Sequence, residues 1–196
     1  MKKRTPLAIT LLIFSFLSLI FATIFGPADN LLSPNVWYSS ISSTYYTNGR
    51  DIFVSLASIL AILFFLYQTN KTEKILNIII GIACIGVICF PTFANTDKVG
   101  VFQLNPNTSK IIHAVFAVIV FVFMGIEVFF FALKEKLNIM YFLSSIIFVC
   151  CLGFLFIEVL NFPIFLRSVF EIILFACFSS AWFILEKKNM LNKNKI

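Results

Sequence analysis

The stretch that decides the fold class is residues 111–133, which read IIHAVFAVIVFVFMGIEVFFFAL. Only His113 and Glu127 interrupt this apolar run with ionisable side chains. A helix needs about 20 mostly apolar residues to cross a bilayer, because the hydrocarbon core is about 30 Å thick and each helical residue adds about 1.5 Å. The stretch therefore predicts a membrane-spanning helix.

The composition of the whole chain agrees with that segment. Hydrophobic residues make up 60% of the 196 residues and charged residues only 12%, more apolar surface than a soluble fold of this size could bury. Five further segments are long and apolar enough to span, and none shows the alternation of a transmembrane β-barrel: residues 7–26, 51–68, 75–93, 139–160 and 165–185. The sequence predicts an all-α, polytopic membrane protein, a six-transmembrane-helix bundle that forms one membrane domain over residues 1–196.

The distribution of basic residues predicts the orientation. With the N-terminus inside, eleven of the 15 Lys and Arg residues fall on the cytoplasmic side, which matches the excess that cytoplasmic loops carry. We therefore expect both termini in the cytoplasm, outer loops at 27–50 and 94–110, and a multi-pass protein of a bacterial inner (cell) membrane. The first segment could instead be a signal peptide, but its apolar run is long and no Ala-x-Ala site follows, which favours a span.

Other signals narrow the function classes. All five cysteines lie inside apolar runs, which predicts neither a disulfide framework nor a zinc-binding cluster. The net charge of +6 is concentrated at segment ends, so membrane topology explains it better than nucleic-acid binding. The sequence contains no phosphate-cradling loop, nucleotide fingerprint or Gly-x-Ser-x-Gly elbow. We expect no cofactor and no nucleic-acid partner, and the sequence favours a non-enzymatic protein over an enzyme.

Ionisable side chains gather at one predicted depth. Charged groups in or near hydrocarbon are costly, so each needs a partner or a function. Placed on the six spans, six of them lie near the outer interface: Arg50, Asp51, His113, Glu158, Arg167 and Glu171. Arg167 and Glu171 are four residues apart, close enough to pair on one helix face. This layer predicts an outer-leaflet polar pocket whose ligand-binding residues are Arg50, Asp51, His113, Arg167 and Glu171, with Glu158 and the deeper Glu127 as secondary polar groups.

Each of these residues also has a structural interpretation. The two arginines could extend to lipid headgroups, Asp51 could cap the helix that it begins, and His113 could be a hydrogen-bonded packing residue. Glu127 lies about 10 Å from the cytoplasmic boundary, where it could be neutral and bonded to Asn77 or Ser144, or could carry protons.

Several short motifs resemble those of a group of uncharacterised bacterial six-helix integral membrane proteins. The run from Ser39 to Val54, SSISSTYYTNGRDIFV, is similar to their Ser/Tyr-rich loop followed by Arg-Asp-x-Phe-Val-Gly, although Ser55 stands where the glycine is usual. Phe90-Pro-Thr, His113-Ala, and Glu171 followed by Ser180-Ala-Trp are similar points. The resemblance implies a polar set of Arg50, Asp51, His113 and Glu171.

A fainter similarity extends to the family of damage-regulated autophagy modulators and the GPI-anchor lipid-remodelling factor. These are also six-helix proteins, with an Ile-Ser loop and a Glu in the last helix, but their Glu-Trp pair is absent here because Ile172 follows Glu171. This resemblance implies lipid handling without an established catalytic centre.

Three functional hypotheses follow. In the first, the pocket binds a polar ligand, a lipid headgroup above all, with membrane lipids as partners and a protein partner possible at the outer face. In the second, Asp51, His113 and Glu171 hold a metal ion in a metal-dependent membrane lipid hydrolase. In the third, the stripe from His113 to Glu127 serves a small proton-coupled transporter or channel. The sequence leaves the oligomeric state open.

Overall fold

The computed structural model describes residues 9–11, 13, 40–46, 50–67, 70–91, 98–160 and 165–193. Within these residues the fold is all-helical, with one 3-10 helix, Ile41–Tyr46, and five α-helices. The α-helices are α1 (Arg50–Leu66), α2 (Lys71–Cys89), α3 (Pro106–Glu135), α4 (Asn138–Leu160) and α5 (Phe165–Lys193). They coincide with the second to sixth predicted spans. Most of the first predicted span, 7–26, and of the first predicted loop, 27–50, lies outside the described residues.

Local capping explains where α2 and α3 begin. α2 begins at Lys71 rather than near residue 75, because the Asn70 side chain accepts the Glu73 N–H at 2.9 Å and its amide donates back to the Glu73 carboxylate at 3.2 Å. α3 begins at Pro106 rather than 111, where the Asn105 side chain accepts the Asn107 N–H at 3.0 Å. Proline suits the first helical position because its missing N–H would have no partner there. Both helices therefore extend past their apolar segments.

Three of the helical segments described are long and apolar enough to cross a membrane: Lys71–Cys89, Pro106–Glu135 and Leu166–Leu191. The described part of α4 from Asn138 to Phe154 is apolar but shorter. This confirms the all-helical class and shows that three of the described helical segments have the length and composition to span a membrane.

The helices pack in chain order and then close on themselves. Each of α1 to α4 packs on the helix that follows it, and α3 also contacts α5. The Phe64 ring of α1 lies 6.0 Å from Phe178 and 6.4 Å from Trp182 of α5, so the last helix returns to the first described one. Phe64, Phe178 and Trp182 are all fully buried. This aromatic contact brings α5 against α1 within a buried core to which all five α-helices contribute.

Because successive helices run in opposite directions, their termini collect at two ends of the bundle. The 3-10 helix, the starts of α1, α3 and α5, and the ends of α2 and α4 form one end, called the Ile41 end. At the other, the Lys188 end, the Lys188 Nζ donates to the backbone carbonyl of Glu135 at 2.9 Å and pairs with the Glu135 carboxylate at 2.9 Å. This pair joins α3 to α5 where the chain is most basic.

Candidate functional site

The 3-10 helix is held between α3 and α5 at the Ile41 end. The Ile41 N–H donates to the Glu171 carboxylate, and the Ser42 Oγ lies 3.0 Å from the His113 Nε2. The serines of this segment favour the tight turn, since the Ser43 hydroxyl donates to the Ser40 carbonyl at 2.6 Å and the Ser43 N–H donates to the Ser40 Oγ at 3.2 Å. Such side-chain to backbone bonds replace those of a longer helix. The turn thereby presents Ser42 to α3 and Ile41 to α5.

The first turns of α3 are fixed to the end of α2. The Ser109 hydroxyl donates to the Pro91 carbonyl at 2.6 Å, and the His113 Nδ1 lies 2.7 Å from the Phe90 carbonyl. A carbonyl oxygen only accepts hydrogen bonds, so the Nδ1 carries the proton of the neutral ring. The Nε2 of His113 is then an acceptor, and it receives the Ser42 hydroxyl. Both ring nitrogens are therefore bonded, as is usual for a polar residue that is only 8% exposed.

A cavity of about 150 Å³ lies beside these residues, and we call it the polar cavity. Its polar lining comes from the 3-10 segment and from the first turns of α3 and α5: Ser40, Ser42, Lys110, His113, Arg167 and Glu171. Two side chains with fixed positive charge thus share the cavity with one carboxylate that already accepts the Ile41 N–H. This balance suits an anionic group, because Arg and Lys bind phosphate and carboxylate oxygens through charge-assisted hydrogen bonds.

The polar cavity adjoins an apolar groove between α3 and α4. The groove, about 250 Å³, has seven lining residues: Val118, Phe121, Val122, Phe148, Cys151, Leu152 and Phe154. Val118, Phe121 and Phe154 line the polar cavity as well. The two spaces therefore meet along a shared wall, polar at the Ile41 end and apolar toward the middle of the bundle.

A smaller inner cavity of about 50 Å³ has Ile41 and Ser42 of the 3-10 helix in its lining. Four residues line both it and the polar cavity: Ser42, Ala117, Phe121 and Glu171. Its remaining wall includes Phe53 and Cys84. Ser42 and Glu171 thus stand at the boundary between the polar cavity and the core.

Three of the five residues predicted as ligand-binding come together in this site. His113, Arg167 and Glu171 all line the polar cavity. Arg50 and Asp51 do not join them: they contact each other, Nε to Oδ1 at 3.6 Å, with side chains 57% and 95% exposed, and neither lines the polar cavity, the apolar groove or the inner cavity. Their assignment to a ligand site stays a prediction.

The two secondary polar groups lie elsewhere. The side chain of Glu158 is outside the described residues. Glu127 is fully buried on α3, away from the linings of the three cavities. The hydroxyl of Ser144, one of its predicted partners, donates to the Gly125 carbonyl at 3.1 Å, and the amide of Asn77, the other, donates to the Tyr67 carbonyl. The transporter hypothesis built on Glu127 stays a prediction.

The trio predicted to bind a metal is not assembled as one cluster. Across the described residues, no group of three His, Cys, Asp or Glu side chains is placed to hold a metal ion. His113 and Glu171 share the polar cavity, but Asp51 is exposed at the start of α1. The residues present there do not form the mixed site that the sequence suggested.

Two contributors to the site were not among the sequence predictions. Lys110 adds a second cation to the polar cavity, and Ser42 adds a hydroxyl bonded to His113. The serine run that contains Ser42 was visible as a motif, but 71 positions separate Ser42 from the imidazole, and nothing in the sequence links the two. Lys110, three residues before His113, lies at helical spacing from it and could have been grouped with it.

The arrangement is chemically suited to an amphiphile, with cations and hydrogen-bonding groups at one end and aromatic and aliphatic walls beyond.

Comparison with protein families, curated proteins and solved structures found no family model, relative or structural neighbour that matches the chain, so the resemblances inferred from short motifs stay predictions.

Proposed function

We propose that the protein is a multi-pass protein of a bacterial inner membrane, with six spans and both termini in the cytoplasm, that binds the anionic headgroup of a membrane lipid in the polar cavity. The observation that carries this proposal is the shared wall of Val118, Phe121 and Phe154 between the polar cavity and the apolar groove. A lipid has the same two-part chemistry, a polar headgroup continuous with an acyl chain.

The proposed orientation places the polar cavity in the outer leaflet. Lys134, Lys136, Lys187 and Lys188 cluster at the Lys188 end, and basic residues favour the cytoplasmic side of a membrane. The Ile41 end then faces outward, at the depth of lipid headgroups. The cavity would receive a lipid laterally from that leaflet, through the groove between α3 and α4.

The charges of the cavity favour a phosphate-bearing headgroup. Arg167 can present two parallel N–H donors to phosphate oxygens, and Lys110 adds a mobile ammonium. Glu171 opposes such an anion, but the two cations Lys110 and Arg167 outnumber the one acidic side chain in the cavity lining. The ligand class is therefore an organic phosphate, and the apolar groove favours a phospholipid over a free phosphate ester.

The test is lipid retention by the purified full chain, measured by native mass spectrometry after incubation with phosphatidylglycerol. Loss of a charged hydrogen bond costs about 1.5–3 kcal/mol, so we expect Arg167→Ala to weaken retention roughly 10- to 100-fold. Arg50→Ala is the matched control, because that arginine lies at the same end with an exposed side chain. Soluble glycerol phosphate in place of the lipid distinguishes a headgroup site from a free-phosphate site. Equal losses in both arginine variants would contradict the assignment to the polar cavity.

A further inference from the structure

We infer that Ser42 and His113 form a nucleophile–base dyad that cleaves an acyl ester of the lipid held in the polar cavity. This inference rests on the proposed function for its substrate, a phospholipid, but its geometry is independent of it. The structure thus supplies a metal-free arrangement for lipid ester hydrolysis, with a serine and an imidazole in place of a metal-activated water.

The dyad and one backbone carbonyl together supply the three groups that activate a serine hydroxyl: a nucleophile, a base and a group that orients the base. The nucleophile, Ser42 Oγ, lies 3.0 Å from the base, His113 Nε2, which is within hydrogen-bond reach. The third part is a group that orients the base: the Phe90 carbonyl accepts the Nδ1–H at 2.7 Å. This bond fixes the tautomer in which Nε2 has a free lone pair, the task that a carboxylate performs in a Ser-His-Asp triad.

Neighbouring serines show what a purely structural hydroxyl does in this region. Ser43 donates to the Ser40 carbonyl at 2.6 Å, and Ser109 donates to the Pro91 carbonyl at 2.6 Å. A carbonyl oxygen is too weak a base to remove a hydroxyl proton, so neither serine is activated. Ser42 differs from both, because its hydroxyl faces a basic nitrogen and it lines the polar cavity.

The reaction balances with water as the co-reactant. Ser42 Oγ attacks the ester carbonyl carbon while its proton passes to His113 Nε2, and the carbonyl oxygen takes up the negative charge. Lys110 lines the same cavity and supplies positive charge to stabilise that oxygen, while Arg167 holds the headgroup phosphate. The ester C–O bond then breaks, and the leaving lysolipid alcohol takes the proton from Nε2.

Water completes the cycle. It gives a proton to Nε2 and attacks the acyl group on Ser42, and the fatty acid leaves as the Ser42 oxygen recovers the proton. The net change is ester plus water to acid plus alcohol. His113 acts as base and then acid in each half, which requires the neutral tautomer fixed by Phe90.

The experiment uses the full chain in nanodiscs that contain phosphatidylglycerol, with a fluorophosphonate probe and peptide mapping to locate the modified serine. Released fatty acid is measured in parallel by mass spectrometry. We expect modification at Ser42 and fatty-acid release in the wild type, and loss of both in Ser42→Ala. His113→Gln should slow both by about a hundredfold or more. Ser145→Ala is the control and should keep both, because Ser145 is an exposed serine of α4 whose hydroxyl donates to the Tyr141 carbonyl.

The outcomes separate the dyad from the lipid site. If wild type and Ser42→Ala both retain phosphatidylglycerol but Ser42 is not modified and no fatty acid appears, the dyad is overturned and the binding proposal stands. If no lipid is retained, the binding proposal fails, and labelling of Ser42 by the small probe still tests the dyad, because the probe needs no bound lipid. Labelling that is equally fast in His113→Gln would overturn the role of His113 as base.

Discussion

The carboxylate of Glu171 accepts a hydrogen bond from the backbone N–H of Ile41, a residue 130 positions earlier in the chain. This bond joins α5 to the 3-10 helix, and the next residue, Ser42, lies against His113 of α3. The buried Glu171 side chain and His113 thus hold the serine of the candidate site from two helices. Predictions about the site and the fold follow from this bond and from four other features.

Glu171→Ala should release the Ile41 amide. A hydrogen bond typically contributes about 0.5–1.5 kcal/mol, so exchange of this amide with deuterated solvent should accelerate roughly 2- to 10-fold. Hydrogen–deuterium exchange with mass spectrometry over the 3-10 helix measures it. Glu186→Ala is the control, because Glu186 is on the same helix but roughly 22 Å further along. Unchanged protection at Ile41 in Glu171→Ala would contradict the bond.

Gly86→Ala should destabilise the contact between α2 and α3. A Cβ at position 86 would overlap the ring of Phe116, and overpacking a well-filled interior costs about 1–3 kcal/mol. The free energy of unfolding in detergent, with and without Phe116→Leu, forms a double-mutant cycle. We expect Gly86→Ala to cost much less in the Phe116→Leu background. Additive losses would mean that the ring is not what opposes the methyl group.

The Glu135–Lys188 pair should contribute modestly to stability. Its side chains are 21% and 31% exposed, and exposed or half-exposed ion pairs typically contribute about 0.2–1 kcal/mol. Lys188→Ala should lower the free energy of unfolding by about that amount, and Lys187→Ala, which removes the adjacent exposed lysine, should change it little. A cycle with Glu135→Gln isolates the pair. A coupling energy of zero would leave the Lys188 bond to the backbone carbonyl as the only contribution.

Cys151→Trp should block the apolar groove without touching the polar cavity. Cys151 lines the groove, and an indole there would occupy the space proposed for an acyl chain. We expect weaker retention of long-chain phosphatidylglycerol in native mass spectra but unchanged binding of soluble glycerol phosphate. Val149→Trp, on the same helix with an exposed side chain, is the control. Unaltered lipid retention in Cys151→Trp would place the acyl chain elsewhere.

The proposed orientation predicts which ends can be labelled from outside a cell. Lys98 lies in an exposed part of the Ile41 end, and Lys187 is exposed at the Lys188 end. In spheroplasts, Lys98→Cys should react with a membrane-impermeant maleimide, whereas Lys187→Cys should react only after permeabilisation. The reverse labelling pattern would mean that the orientation in the membrane is inverted, with the polar cavity on the cytoplasmic side.

Hydropathy predicted the helices well because the free energy of transferring a segment into the membrane is close to a sum over its own residues. It does not depend on which other helices the segment contacts. α1 to α5 coincide with five predicted spans, and the start of α2 could have been placed better from the Asn70–Glu73 capping pair, which is visible in the sequence. The predicted spans gave the depth of each residue in the membrane, but not the direction in which its side chain points around the helix axis. Arg50 and Asp51 therefore shared a predicted layer with His113, yet the structure exposes both side chains.

The pairing of Ser42 with His113 could not be predicted from the sequence for a different reason. A short 3-10 turn gives little periodic signal, and its position depends on bonds to two distant helices. The serine run showed that a polar loop was present, but not which hydroxyl would meet a base. Tertiary contacts decided that.

The two members of the dyad are anchored to different helices. His113 is tied to the end of α2 through the Phe90 carbonyl, while the backbone beside Ser42 is tied to α5 through Glu171. A separation of α3 from α5 would pull the serine away from the imidazole and leave the ring still oriented. The 3.0 Å hydrogen bond between Ser42 and His113 therefore depends on how closely α3 and α5 are packed, and a lipid that enters between α3 and α4 would leave it intact.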